Sequence, residues 1–166
     1  MIISNSGQPV EIDRAMKLGV RDYMIKVNFD PMEVVEKVSR LIEENSRGTT
    51  STARPTTPAS KATVLLVEDD VMYVEILQVK FSQKNFTLLY ALNVEQARKI
   101  LATSPVDVIL LDLILPGTDG FTFLQELKAH EQWKNIPVII TSNLGRQEEV
   151  DRCLKLGAVD YIIKAY

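Results

Sequence analysis

The chain is poor in the features that announce most specialised functions. It has one cysteine, Cys153, which excludes an internal disulfide and fits a reducing cytoplasm. That cysteine falls within a helical apolar pattern, as a buried side chain would. No apolar run outlasts a single strand, so none is long enough to cross a bilayer, and Met1-Ile2-Ile3 passes at once into polar residues, unlike a secretory signal. A cytoplasmic protein without a membrane partner is expected. Positive charge is scattered within a net charge of −3, and neither helix-turn-helix nor zinc-finger spacing occurs, so nucleic acid is not expected as a partner. His130 and Trp133 are single copies near the end of one helix and carry no assigned chemistry. Residues 47–61 contain no large apolar side chain and are read as a Thr/Pro/Ser linker.

What is present alternates strongly. From Thr63 onward the pattern predicts strand 63–68, helix 71–83, strand 86–91, helix 94–103, strand 106–112, helix 119–130, strand 137–141, helix 146–156 and strand 160–164. The strands are continuous runs of Val, Leu and Ile, as in parallel strands covered on both faces. Short connections of this kind imply right-handed crossovers, and hence an α/β, doubly wound parallel five-stranded sheet. In the flavodoxin-like order 2-1-3-4-5, the first and third strands are neighbours. Glu68 and Asp69 then converge with Asp112 at the carboxyl ends of those strands, where open α/β sheets place their sites. Carboxylates so close repel one another unless a cation or a proton intervenes.

A partial repeat precedes this unit. Residues 1–28 align without gaps on 139–166, with 14 of 28 positions identical. Ile2-Ile3-Ser4-Asn5 corresponds to Ile140-Thr141-Ser142-Asn143, and Asp22-Tyr23-Met24-Ile25-Lys26 to Asp160-Tyr161-Ile162-Ile163-Lys164. The first copy runs on into Asp30-Pro31-Met32-Glu33, a good helix start, followed by a stripe of Val34, Val35, Val38, Leu41 and Ile42. The second copy stops at Tyr166, before any such helix.

These residues resemble the receiver domain of bacterial response regulators across 62–166. Leu65-Leu66-Val67-Glu68-Asp69-Asp70 carries the acidic pair, and Leu111-Asp112-Leu113-Ile114-Leu115-Pro116-Gly117 resembles the phosphoacceptor strand and loop. Pro137-Val138-Ile139-Ile140-Thr141-Ser142 and Asp160-Tyr161-Ile162-Ile163-Lys164 supply the remaining motifs. The resemblance implies a phosphoacceptor at Asp112, with Mg²⁺ held by Glu68, Asp69, Asp112 and the backbone of Ile114. It implies contacts to the phosphoryl group from Ser142 and Lys164, and a conformational switch through Ser142 and Tyr161. It further implies a sensor histidine kinase or phosphotransfer protein upstream, an unknown protein downstream, and no enzymatic activity beyond the domain's own phosphorylation and dephosphorylation.

Under the same resemblance, residues 1–46 read as the fourth and fifth strands and helices of a preceding receiver, and 62–166 as a receiver without its last helix. Helix 30–46 is expected to cover the face so exposed, within one chain or by domain swapping in a homodimer. The strand preceding it would then compete with 160–164 for the sheet edge, offering Ser4, Tyr23 and Lys26 in place of Ser142, Tyr161 and Lys164. The other reading leaves 1–46 packed wherever convenient.

Some positions depart from the family pattern. Ala165 stands where a proline usually follows the lysine, and Asn143 replaces a small residue. Ile114 and Leu144, at the two positions flanking the phosphoryl group, are apolar. Three other readings compete. A haloacid-dehalogenase phosphatase would need an acid at Ile114, and a flavodoxin would need a neutral loop at Glu68-Asp69-Asp70. The alternative kept is a pseudo-receiver, a protein-interaction module independent of phosphorylation.

Overall fold

The computed structural model describes residues 2–4, 23–25, 30–48 and 61–164, with the backbone alone for 2–4, 23–25 and 45–48. Strands β1 (Ile2–Ser4) and β2 (Tyr23–Ile25) are followed by helix α1 (Pro31–Gly48). Strand β3 (Ala62–Val67), helix α2 (Val71–Ser82), β4 (Phe86–Ala91), α3 (Val94–Thr103) and β5 (Val108–Leu111) come next. Helix α4 (Gly120–Ala129), β6 (Val138–Ser142), α5 (Gln147–Lys155) and β7 (Asp160–Ile163) complete the described chain. Every element expected from Thr63 onward is present, with ends moved by one or two residues. Helix α1 runs to Gly48, two residues into the stretch read as linker.

The five strands from β3 onward form one parallel sheet in the order β4-β3-β5-β6-β7, which is the order 2-1-3-4-5. Burial explains the unbroken apolar runs. Val64 and Leu66 of β3 face one side with Val108, Leu110, Ile139 and Ile162. Leu65 and Val67 face the other with Ile109, Leu111, Val138, Ile140 and Tyr161. Side chains alternate across a strand, so a sheet with two cores needs apolar residues at every position. Helices α3, α4 and α5 cover the second face through Ala97, Phe123, Leu124, Leu127, Val150 and Cys153, the last fully buried. Its thiol pKa is pushed up to about 12 by burial, so it is an inert packing group.

The first face carries α2 and, beside it, α1. Val34, Val35 and Val38 are fully buried in the same cluster as Val64, Leu66, Leu110 and Ile162. The Asp30 carboxylate accepts the Met32 N–H at 2.9 Å, capping the helix, and Lys37 Nζ reaches Asp160 Oδ2 of β7 at 2.7 Å. The face is therefore covered in this structure of a single chain by a helix that precedes the sheet's first strand.

The edge expected to be contested belongs to β7, which pairs with β6 through Ile140↔Tyr161 and Ser142↔Ile163. Strands β1 and β2 pair with each other in a separate two-stranded parallel sheet, through Ile2↔Tyr23 and Ser4↔Ile25. Adding 138 to those four numbers gives the β6–β7 pairs. Ser4 and Tyr23 thus lie outside the five-stranded sheet, and Lys26 lies outside the described residues.

Each of the three α1 valines has lost its whole surface to this packing, at about 0.8 kcal/mol per buried methylene plus a cavity term on truncation. Val35→Ala with Val38→Ala is expected to cost roughly 3–5 kcal/mol in urea unfolding. Deletion of residues 1–46 is expected to lower the stability of 62–166 further; an unchanged unfolding midpoint would show that α1 contributes nothing to the fold.

Candidate functional site

Topology gathers the site from three strand ends. Strand β3 continues into Glu68, whose N–H donates to the Ala91 carbonyl at 2.9 Å, so the acid leaves the sheet in register with β4. Asp112 follows β5 directly, its N–H donating to the Val67 carbonyl at 3.0 Å. Lys164 follows β7, its N–H donating to the Ser142 carbonyl at 2.8 Å. Strands β3 and β5 are neighbours and β7 lies one strand further on, beyond β6, and their parallel register brings the three side chains to one rim.

There they form a buried ionic triad. Lys164 Nζ donates to Glu68 Oε2 at 2.6 Å and to Asp112 Oδ2 at 2.8 Å. All three side chains are at most 5% exposed. Asp69 adds a third carboxylate from the exposed side, and oxygens of Glu68, Asp69 and Asp112 all lie within 4.8 Å of one another. Three carboxylates against one ammonium leave an excess of negative charge in a poorly solvated place. Burial accordingly pushes the Glu68 carboxyl up to about 7, against the opposing pull of Lys164. A proton or a cation can satisfy the same deficit, and hard carboxylate oxygens open to solvent on one side suit a divalent cation such as Mg²⁺.

The backbone holds the acceptor carboxylate from the other side. Asp112 Oδ1 accepts the Ile114 N–H at 3.0 Å, which fixes the carboxylate plane. The loop that follows turns at Gly117, whose φ of +84° suits glycine. It returns so closely that a Cβ on Gly120 would sit 2.5 Å from Leu113 Cα and 2.6 Å from the Asp112 carbonyl oxygen. Asp119 caps α4 through the Phe121 N–H. Ser142 is fully buried at the end of β6, and its Oγ accepts the Leu144 N–H at 3.3 Å. Tyr161 lies inward, 2% exposed, its hydroxyl donating to the Leu144 carbonyl at 2.7 Å. Burial raises the pKa of that phenol.

Glu68, Asp69, Asp112, Ile114, Ser142, Tyr161 and Lys164 thus meet at this rim or beside it, whereas Ala165 lies outside the described residues. Ile114 is 52% exposed at its mouth, Leu144 is half-buried, and Asn143 is exposed. Sequence reasoning did not reach three others. Asp70 is a cap, its Oδ1 accepting the Met72 and Tyr73 N–H groups. Gly120 is required by close backbone approach. Tyr73 lies with its ring centroid 4.7 Å from Lys164 Nζ. An Asp before a helical run signals the cap; nothing in the linear sequence distinguishes Tyr73 from any core aromatic.

Comparison with known proteins agrees with this geometry. A family model described as the response regulator receiver domain matches residues 64–166. The chain is 39% identical over 108 residues to the transcriptional regulatory protein AruR of Pseudomonas aeruginosa, a match covering 61% of this chain and 42% of that protein. It is 34% identical over 104 residues to the phosphate regulon transcriptional regulatory protein PhoB of the same organism, covering 63% and 45%. The chain therefore spans less than half the length of these curated relatives. Among solved structures, the receiver domain of the Francisella response regulator 1452 superposes with a TM-score of 0.57 at 32% identity, covering 62% of this chain and 84% of that one. The phosphorylated cyanobacterial phytochrome response regulator RcpA superposes at 0.60 with 26% identity, covering 63% and 81%.

The raised Glu68 pKa has a signed consequence. The folded chain holds a proton up to about pH 7 that the unfolded chain releases near 4.5. The stability this proton confers is complete below pH 4.5 and is lost as pH rises through about 7. Urea unfolding in EDTA should therefore show the parent weakening across that window relative to Glu68→Gln. Parallel curves for the two proteins would show that Glu68 carries no such proton.

Proposed function

The chain belongs to the response regulator receiver family, and we propose that it accepts a phosphoryl group on Asp112 and relays the event through a protein-binding face. The observation that carries this reading is the placement of Lys164 Nζ between Asp112 Oδ2 and Glu68 Oε2, with the exposed Asp69 completing a group of three carboxylates. An Asp112 carboxylate oxygen attacks phosphorus, the new O–P bond forming as the bond to the donor's leaving group breaks with its electron pair. Ile114 N–H and Lys164 hold the two carboxylate oxygens in place during that attack. Lys164 and Ser142 then supply donors for the charged phosphoryl oxygens. Glu68, Asp69, Asp112 and the Ile114 backbone would hold Mg²⁺, which supplies positive charge between two anionic reactants.

Ser142, Tyr161 and the rest of 142–164 form the responsive face, the last two residues of the expected 142–166 lying outside the described residues. Leu144 donates its N–H to Ser142 Oγ and accepts the Tyr161 hydroxyl at its carbonyl, so a change at Ser142 would reach the ring through two hydrogen bonds. A sensor histidine kinase or phosphotransfer protein would supply the phosphoryl group, and an unidentified protein would read the face. Residues 1–46 represent the end of a preceding receiver, a reading supported by the coincidence of the β1–β2 and β6–β7 registers.

Two outcomes are expected. Incubation with acetyl phosphate and Mg²⁺ should give one labile phosphoryl adduct by intact mass, absent in Asp112→Asn and in EDTA. No adduct on the parent would leave an interaction module that works without phosphorylation. Ile114 and Leu144 cannot orient an attacking water, so the adduct should be long-lived. Ile114→Asn and Leu144→Glu should shorten its half-life by about tenfold or more, and an unchanged half-life would remove both residues from the explanation.

A further inference from the structure

Tyr73 falls in no motif of the site, yet it touches the charge at its centre. It lies in the first turn of α2, five residues after Glu68, with its N–H held at 3.2 Å by the capping carboxylate of Asp70. Its side chain is 2% exposed, and the ring centroid is 4.7 Å from Lys164 Nζ, inside the range in which a buried ammonium is attracted to an aromatic face. We propose that Tyr73 is a positioning residue for Lys164, its ring face holding the ammonium between Glu68 and Asp112, and that through this ring helix α1 belongs to the support of the site. The proposal rests on the phosphoacceptor reading and deepens it.

The donor count explains why a ring is suited to that place. An ammonium has three N–H groups, of which two are engaged by Glu68 and Asp112. Lysine carries its charge on a flexible four-carbon stem, and here the stem begins where the chain leaves β7. Two acceptors do not by themselves fix the orientation of the head. A further carboxylate would restrain it but would add negative charge to a cluster that already has three acids. The face of an aromatic ring attracts the cation without adding charge, and leaves the oxygens of an arriving phosphoryl group as the stronger acceptors.

The ring is itself braced. Tyr73 belongs to the cluster that contains Val34, Val35 and Val38 of α1, together with Leu66, Leu110 and Ile162. The same helix is joined to β7 by the Lys37–Asp160 pair, and β7 leads into Lys164. Helix α1 therefore shares a core with the ring and is tied to the start of the strand that leads into the ammonium.

Phe keeps the ring face and removes the hydroxyl, whereas Leu and Met keep apolar bulk and remove the face. The test compares Tyr73→Phe, Tyr73→Leu and Tyr73→Met in the full chain by two readouts. One is the rate of adduct formation from acetyl phosphate with Mg²⁺; the other is the Lys164 ammonium resonance by ¹H–¹⁵N NMR without phosphodonor. The Leu and Met variants should form adduct about tenfold more slowly and lose the ring-current shift, while Phe stays within about twofold of the parent with the shift retained. Val35→Ala with Val38→Ala should move the resonance in the same direction by less.

Parental rates and shifts in Leu and Met would overturn the proposal, as would a Phe variant as impaired as Leu. An unmoved resonance in the valine pair would remove α1 from it. A parent that takes no phosphoryl group would defeat the phosphoacceptor reading, and the resonance alone would then decide the role of Tyr73.

Discussion

The arrangement of the rim depends on one buried ammonium. Lys164 ties the ends of β3, β5 and β7 together by bonding to Glu68 and Asp112, and without it the acids would face one another across a poorly solvated gap. Breaking a buried ion pair by removing one partner commonly costs several kcal/mol, because the remaining charge is left uncompensated. The pair need not be a large net source of stability to fix geometry. It sets where the three strands end relative to one another, and so where any group entering between the carboxylates must sit. Residual negative charge at the rim makes the same place attractive to a proton or a divalent cation, so the site's electrostatic strain and its chemistry have one origin.

That rim is held by a sheet whose two faces are closed in different ways. Helices α3, α4 and α5 cover one face in chain order, each following its strand. The other face is shared by α2 and by α1, which comes from before the first strand. The sheet does not distinguish the source of the side chains that cover it, provided volume and apolarity match. Val34, Val35 and Val38 meet both requirements, and the Lys37–Asp160 pair sets the helix against the last strand. Because α1 and Tyr73 share one apolar core, the closure of that face is not remote from the site.

Much of this was legible in the sequence because the signals are local. Apolar runs of strand length, helical stripes and capping residues gave each element from Thr63 to Lys164, and short crossovers gave the strand order. Once that order was set, convergence of Glu68, Asp69 and Asp112 followed from topology. Other features depend on distance in space and left no linear trace. Gly120 is needed because the loop doubles back onto Asp112, and Tyr73 reads as core until Lys164 is seen above its ring. The docking of helix α1 was open between one chain and two, since sequence gives the reach of a linker but not the direction it takes. The competition between duplicated strands also required the structure, because their sequences favour either one equally.

The order of α1 and the strands it covers has a consequence for synthesis. The helix leaves the ribosome first, and Val38 must wait for Ile162, more than a hundred residues behind it, before its burial site exists. At ~5–20 residues per second that interval is roughly 6–25 s, long against the microseconds in which a helix forms and melts. An isolated helix of this length is marginal in water, so its valine stripe spends that time repeatedly exposed. The burial of that valine stripe is complete only once the last strand of the sheet has been made.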